Sequence, residues 1–219
     1  MIQQEYRQNS LDYWNNVHKE YNRETIKVDD WLERFDSIID NSSKPILDLG
    51  CGGGNDTLYL ITKGKQVISC DQSENAIKNI IKNFPEVKET RCFNMLDGIP
   101  FDDNSFDVVI ADLCLHYFND EDTKRIISDI HRILTPGGHL ILRVNSINDV
   151  NHGADQGVEL EHHVFESEGN TIKRFFDEAD IREFFKDYDI EFMNEEIMTR
   201  YSLEKRLYRC CVQKKNVRG

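Results

Sequence analysis

The stretch PILDLGCGGGNDTLYL, residues 45–60, sets one carboxylate, Asp48, just ahead of a cluster of glycines at Gly50, Gly52, Gly53 and Gly54. Glycines placed so serve a sharp backbone turn, or let another molecule approach the main chain more closely than a Cβ permits. A helix starting behind them adds free N–H groups and a dipole that favours partial negative charge. Further acids end later apolar runs: Asp71 in ISCDQS with Gln72 beside it, Asp97 in NMLDGIPF, and Asp112 in VVIADLCLHYF. Such a carboxylate can accept two hydrogen bonds at once, or hold a cation by Coulomb attraction in a partly dry cleft. Proton acceptors follow in His116 and Tyr117, and in His162 and His163 of ELEHHVF. His116 reads either as a base or as a packing residue at a helix start, and the histidine pair either as bases or as solvated loop residues. Arg143 and Asn145 end another apolar run. His152, His162 and His163 match no metal-ligand spacing, and no metal is expected.

These residues need elements to hold them, and the chain alternates strands with helices. ILDLG, QVISCD (66–71), VKETRCFNM, SFDVVIADL (105–113) and HLILRVNS read as strands. Between them lie a helix over about 56–63, another opened by Ser73 with Ala76, Ile77, Ile80, Ile81 and Phe84 on one face, and DEDTKRIISDIHRIL, stopped by TPGG. This rhythm predicts a doubly wound α/β fold, a mostly parallel sheet with helices on both faces and a ligand outside the carboxyl ends of its strands. Residues 1–40 read as a helical N-terminal cap, with Leu11, Trp14 and Val17, then Trp31, Leu32 and Phe35, at helical spacing. Residues 146–172 are polar and patternless, which predicts a loop lying over the site as a lid. EADIREFFKDY reads as a last helix, and IEFMNEEIM and RLYRCCVQ as last strands. The whole, 1–219, reads as one domain with its core over 45–145.

The glycine pattern narrows the ligand. A dinucleotide G-x-G-x-x-G counted from Gly50 and Gly52 needs a glycine where Asn55 stands, and no Gly-Lys-Ser/Thr follows. Asp48-Leu49-Gly50-Cys51-Gly52-Gly53-Gly54 instead resembles motif I of the class I S-adenosylmethionine-dependent methyltransferases, an acid, any residue, then Gly-x-Gly-x-Gly. The resemblance extends over 45–145 through Asp71, Asp97, DDNSFDVVIADLCLHYF and ILTPGGHLIL. It implies a Rossmann-like, seven-stranded sheet and S-adenosyl-L-methionine as cofactor. Gly50, Cys51 and Gly52 would lie against that cofactor, and Asp48 would serve its α-amino group through water or the glycine loop. Asp71, with Gln72, would take the ribose hydroxyls, and Asp97 the adenine amino group with Met95 or Leu96 on the ring. Asp112 and Leu113 would stand near the cofactor or the substrate entrance. Tyr13 or Trp14 would cover the cofactor as a cap, or pack in the core. No Asn/Asp-Pro-Pro-Tyr/Phe box stands where LHYF does, and LHYF resembles the small-molecule branch, including ubiquinone-biosynthesis-type and tellurite-resistance-type enzymes. RFFDEADIREFFKDYDIEFMNEE is similar to the latter. The resemblance thus implies in-line methyl transfer to a small metabolite, natural product or metalloid oxyanion; where the nucleophile carries a proton, the base candidates among the residues are His116, Tyr117, His162 and His163. A protein, peptide or tRNA methyltransferase, or a cofactor-binding regulator, is the alternative.

A formal charge of −13 argues against a chain that wraps nucleic-acid backbone. The one basic segment, from Arg200 to the end, reads as a solvated edge strand protected by charge. Cys51, Cys70, Cys92, Cys114, Cys210 and Cys211 form no CxxC and read as reduced, structural thiols. No apolar run approaches the ~20 residues of a membrane span. The N-terminus has no basic start or apolar core of a secretory signal, so the expectation is a cytoplasmic enzyme with a small-molecule partner. Nothing in the sequence sets an oligomeric state.

Overall fold

The computed structural model describes residues 2–19, 24, 26, 28–167 and 170–216. The remaining residues of the expected cap, and Arg218 in the basic tail, lie outside the described residues.

Strands with mainly apolar runs are suited to burial on both faces, and these make the centre of the sheet: β1 (Ile46–Leu49), β2 (Val67–Asp71), β4 (Phe106–Asp112) and β5 (Leu134–Asn145). With β3 (Glu89–Cys92), β9 (Tyr188–Met198) and β10 (Lys205–Lys214), they form a seven-stranded sheet in the order β3-β2-β1-β4-β5-β10-β9. The first five strands are mutually parallel, and β10 runs antiparallel to both of its neighbours. Alternation along each strand sends Leu47, Leu49, Val109, Ala111, Leu140 and Leu142 into one core. Ile46, Val67, Val108, Ile110 and Ile141 enter the core on the opposite face.

Helices cover both faces. α5 (Asp120–Ile133) and α6 (Glu178–Phe184) pack on the first core through Ile126, Ile130, Ile133 and Ile181. α2 (Asp36–Asn41), the 3-10 turn before it (Asp30–Phe35) and α3 (Asn55–Thr62) pack on the second through Trp31, Leu32, Phe35, Ile39 and Leu60. α4 (Glu74–Asn83) begins where expected, with Ser73 Oγ accepting from the Ala76 N–H at 3.2 Å.

Two expectations are corrected. Residues 146–172 do not form a patternless loop. They hold a 3-10 turn (Val150–His152) and lead into a small antiparallel sheet of β6 (Glu159–Glu161), β7 (Val164–Ser167) and β8 (Thr171–Arg174). Strands this short, with β6 wholly exposed, leave no alternation long enough to see in the sequence. The basic tail is not an edge strand either. β10 lies between β5 and β9, and two of its lysines are absorbed while Arg206 stays exposed: Lys205 and Lys214 are buried, the latter donating to the Leu134 carbonyl at 2.7 Å.

α1 (Ile2–Val17) lies apart from both cores and is pinned by polar contacts. Asn79 Nδ2 donates to the His18 carbonyl at 2.8 Å, Asn75 Nδ2 to the Asn15 carbonyl at 2.8 Å, and Ser73 Oγ to Asn15 Oδ1 at 2.9 Å. On its other side α1 meets β8.

Candidate active site

β1 has β2 on one side and β4 on the other, so the winding of the sheet reverses there and leaves a crevice at the carboxyl ends of the strands. The glycine loop fills the floor of that crevice. Gly50 has φ +75° and a Cβ on it would fall 2.5 Å from Cys114 Cβ; Gly54 has φ +87° and its Cβ would meet Phe84 at 2.5 Å. Those two glycines therefore answer to the protein's own turn and packing. Gly50, Gly52 and Gly53 all line a cavity, and a Cβ on Gly52, whose φ is +47°, would fall 3.1 Å from the His18 ring.

That cavity has a volume of about 530 Å³. Gly50, Cys51 and Gly52 form its floor, Asp71 and Gln72 one side, and Trp14 and His18 of the N-terminal segment its roof. Asp112, Leu113, His116 and Tyr117 continue the wall past β4. Trp14 stacks on His18 (centroids 5.5 Å) and meets Tyr117 edge-on (5.1 Å). A second cavity of about 300 Å³ adjoins the first, sharing Gln72, Asn94, Tyr117 and Phe118, and Leu96 lines it.

The remaining expected residues stand elsewhere. Asp48 is buried beneath the loop, accepting from the Thr57 hydroxyl, which also bonds Ser69 Oγ at 2.8 Å. Asp97 pairs with Arg7 at the surface and lines neither cavity. His162 is exposed, stacked on His163 at 3.7 Å and 4.0 Å from Asp180. These three groups form the one cluster with metal-ligating geometry among the described residues. Asp180 is already engaged there, bonding His163 Nδ1 at 2.7 Å and closing the capping box of α6. Arg143 is buried, gripping Asp112 through two 2.7 Å bonds and Asp29 at 3.0 Å, and Asn145 is buried outside the cavities.

Electrostatics separates these acids. Burial pushes Asp48 up to about 7, with Asp112 and Asp71 adding to the rise against the Thr57 hydrogen bond. Burial also raises Asp71, opposed by N–H groups of Ser73 (2.8 Å) and Gly52 (3.0 Å) and by His18. Asp112 ends below the usual carboxylate range: burial raises it, but the Arg143 and Arg200 guanidiniums outweigh that. Burial drives His116 well below an ordinary imidazole, and Lys205 and Lys173 push it further the same way. The ring is therefore neutral at physiological pH, and its Nδ1 has no hydrogen-bond partner among the described residues.

Sequence reasoning missed part of the wall: His18, Asn94, Lys173, Arg200, Tyr201 and Lys205. Lys173 arrives because the Arg174 N–H donates to the His116 carbonyl at 2.8 Å, docking the end of β8 there. Lys205 arrives because Asp149 holds it at 2.9 Å as β10 begins. The cluster of basic residues after Arg200 was the available signal, but position in the sheet, not composition, turns it inward.

Residues 47–142 match a family described as methyltransferase domain. An uncharacterized methyltransferase of Synechocystis sp. is 33% identical over 111 residues, 48% of this chain and 51% of that protein. The chain spans about half the length, or less, of the curated relatives it matches. TehB of Haemophilus influenzae superposes with a TM-score of 0.62 at 21% identity, over 84% of this chain and 62% of that one. The 1,6-didemethyltoxoflavin-N1-methyltransferase of Burkholderia thailandensis, solved with that acceptor and S-adenosylhomocysteine, gives 0.61 at 17%, over 79% and 72%. At such identities the structural likeness speaks for the fold, and the family match for residues 47–142 alone. Residues 47–142 thus match a methyltransferase domain, set in a Rossmann-like seven-stranded sheet with the glycine loop at its switch point.

Proposed function

We propose that the protein transfers a methyl group from S-adenosylmethionine to a small-molecule acceptor in the main cavity. The observation that carries this reading is the cavity itself: bare main chain at Gly52 and Gly53, the Asp71 carboxylate beside it, and a roof of Trp14 and His18 that leaves room for a small acceptor. The residues fit the donor. Each Asp71 oxygen accepts one backbone N–H, which leaves further lone pairs for ribose hydroxyls. Gln72 and Asn94, bonded to each other at 2.8 Å, join the two cavities, and Leu96 offers an apolar face for the adenine ring in the smaller one. Asp97 and Asp48 support the donor indirectly in this reading, Asp97 by tying α1 down through Arg7 and Asp48 by bracing the loop through Thr57.

When bound, the donor supplies an electrophilic methyl: the acceptor's lone pair bonds to the methyl carbon as the C–S bond breaks with its electrons on sulfur, leaving S-adenosylhomocysteine. The chain holds the partners in line. Where the nucleophile carries a proton, neutral His116 accepts it, and Tyr117 packs against that ring at 4.3 Å. His162, exposed on the β6–β7 turn, takes no part.

Calorimetry with S-adenosylhomocysteine should show binding, weakened in Asp71→Ala by about 1–3 kcal/mol for lost charged hydrogen bonds. Unchanged affinity would overturn the donor site. Methyl-labelled donor incubated with fractionated extract should label the small-molecule fraction; label in RNA or protein alone would overturn the acceptor class.

A further inference from the structure

The sequence offers His162 and His163 with His152 as a third ligand, and that trio matches no metal-binding spacing. Folding exchanges the third member. His152 turns to Asp149, which it meets at 2.8 Å, while Asp180, 17 residues beyond His163, comes up beside the pair. His162 Nε2 stands 4.0 Å from Asp180 Oδ1, and His163 Nδ1 bonds Asp180 Oδ2 at 2.7 Å. One nitrogen from each ring and one carboxylate oxygen fall within 4.8 Å of one another. Zinc holds such ligands at about 2.0–2.2 Å, which sets them about 3.3 Å apart in a tetrahedron. The measured separations bracket that value, so closing on an ion asks for no more than about 1.5 Å of adjustment.

The three ligands are held by different means. His163 is a non-glycine residue at φ +56°, a costly conformation that persists where its surroundings fix it. Here its N–H donates to Glu159 Oε1 at 3.1 Å, and its carbonyl accepts from the Phe175 N–H at 2.8 Å. The turn sets the two rings face to face with centroids 3.7 Å apart, closer than the about 4.5–7 Å of rings that only pack. Asp180 is fixed by the capping box of α6, which uses Oδ2, 3.2 Å from the Asp177 N–H. Coordination through Oδ1 leaves that cap in place. His162 has 74% of its side chain exposed and can swing onto an ion without disturbing a core.

We propose that His162, His163 and Asp180 form a zinc site, with water in the fourth position, that clasps the β6–β7 turn to α6. Two nitrogen donors select zinc over magnesium or calcium, which take oxygen ligands. On binding, the His163–Asp180 hydrogen bond gives way to two bonds to the ion, and each imidazole coordinates as the neutral ring with its proton on the other nitrogen. The chain from Glu159 to Arg182 is acidic in balance, as is the whole protein at −13. Arg174 acts electrostatically on Asp180, but its charge is shared with Asp120 and Glu161. None of the three ligands lines either cavity, so the ion is placed to hold rather than to react. The small sheet it fastens ends in β8, whose Arg174 N–H holds the His116 carbonyl at 2.8 Å. This site stands independently of the donor site proposed above.

The test uses full-length protein without an affinity tag, stripped by chelator and titrated calorimetrically with zinc chloride alone. The tightest equivalent should bind with a dissociation constant of about 10 μM or better, and magnesium should give no such binding. His162→Gln removes an exposed ligand and should weaken that equivalent at least about tenfold. His163→Asn, whose side chain tolerates the left-handed backbone, should do the same. Hydrogen exchange read by mass spectrometry should show zinc protecting residues 158–167 and the first turn of α6 in the wild type but not in His162→Gln. No binding by about 1 mM zinc, or equal zinc affinity in His162→Gln and the wild type, overturns the site. Magnesium bound as tightly as zinc overturns it too, because an acidic surface would then be taking any cation. Zinc lost in His162→Gln but without effect on exchange in the wild type overturns the clasp.

Discussion

Asp48 shows how one motif residue can be built into the fold beneath the cavity instead of into its wall. It is 1% exposed, has the Thr57 hydroxyl as partner, and titrates near 7 because burial disfavours its charge. The folded state therefore holds a proton that the unfolded chain, with an ordinary carboxyl near 3.8, has already released. Wherever the folded form binds more protons, stability falls as pH rises, so this group weakens the fold between about pH 4 and pH 7 and levels off above. Asp48→Asn removes the titration and keeps an acceptor for Thr57. Urea midpoints at about pH 5 and about pH 8 should show the wild type losing stability relative to the variant, by at most about 1.4 kcal/mol per pH unit crossed. Parallel pH slopes in the two proteins would contradict the assignment. At this scale Gly52, Asp71, Asp112 and His116, which line the main cavity, could be singled out in the sequence because each ends or follows an apolar strand. The position of Asp48 beneath the loop could not be, since a motif does not say which side of the main chain its carboxylate takes.

The elements meet the site through a few buried ion pairs. Arg143 of β5 joins Asp112 of β4 by two bonds, reaches Asp29 ahead of the 3-10 turn, and lies 4.3 Å over the Trp31 ring. Removing one partner of such a pair leaves an uncompensated charge, so Arg143→Met should cost about 3–5 kcal/mol in denaturant unfolding. Arg143→Lys should recover only part, since an ammonium cannot reproduce the two-bond fork. A loss below about 1 kcal/mol would mean that the pair is solvated in solution. The strands of the core and α4 and α5 followed from periodicity and caps. The β6–β8 sheet did not, because its strands are too short to carry a period, and its contribution, Lys173, depends on one backbone hydrogen bond to His116.

Across the whole molecule, the formal charge of −13 and the inward turn of Arg200 and Lys205 point the same way. Arg200 and Lys205 face the cavity, and Arg209 is paired with Glu196 at 2.6 Å. Those residues are withdrawn from the surface that a polynucleotide would meet. The purified protein should therefore carry no RNA and pass through heparin at about 0.1 M salt. Retention that is lost steeply at higher salt would favour a tRNA acceptor instead.

By itself the sequence determined the alternation of strand and helix, and with it the mostly parallel sheet and the glycine loop at the end of its first strand. Those are local matters of apolar period, capping and turn chemistry, readable a dozen residues at a time. Tertiary structure alone decided which charges share the cavity. Lys173, Arg200 and Lys205 come from segments far from the motif, and each is brought in by backbone pairing or an ion pair across the chain. Long-range contacts of that kind leave no period and no fixed spacing to read.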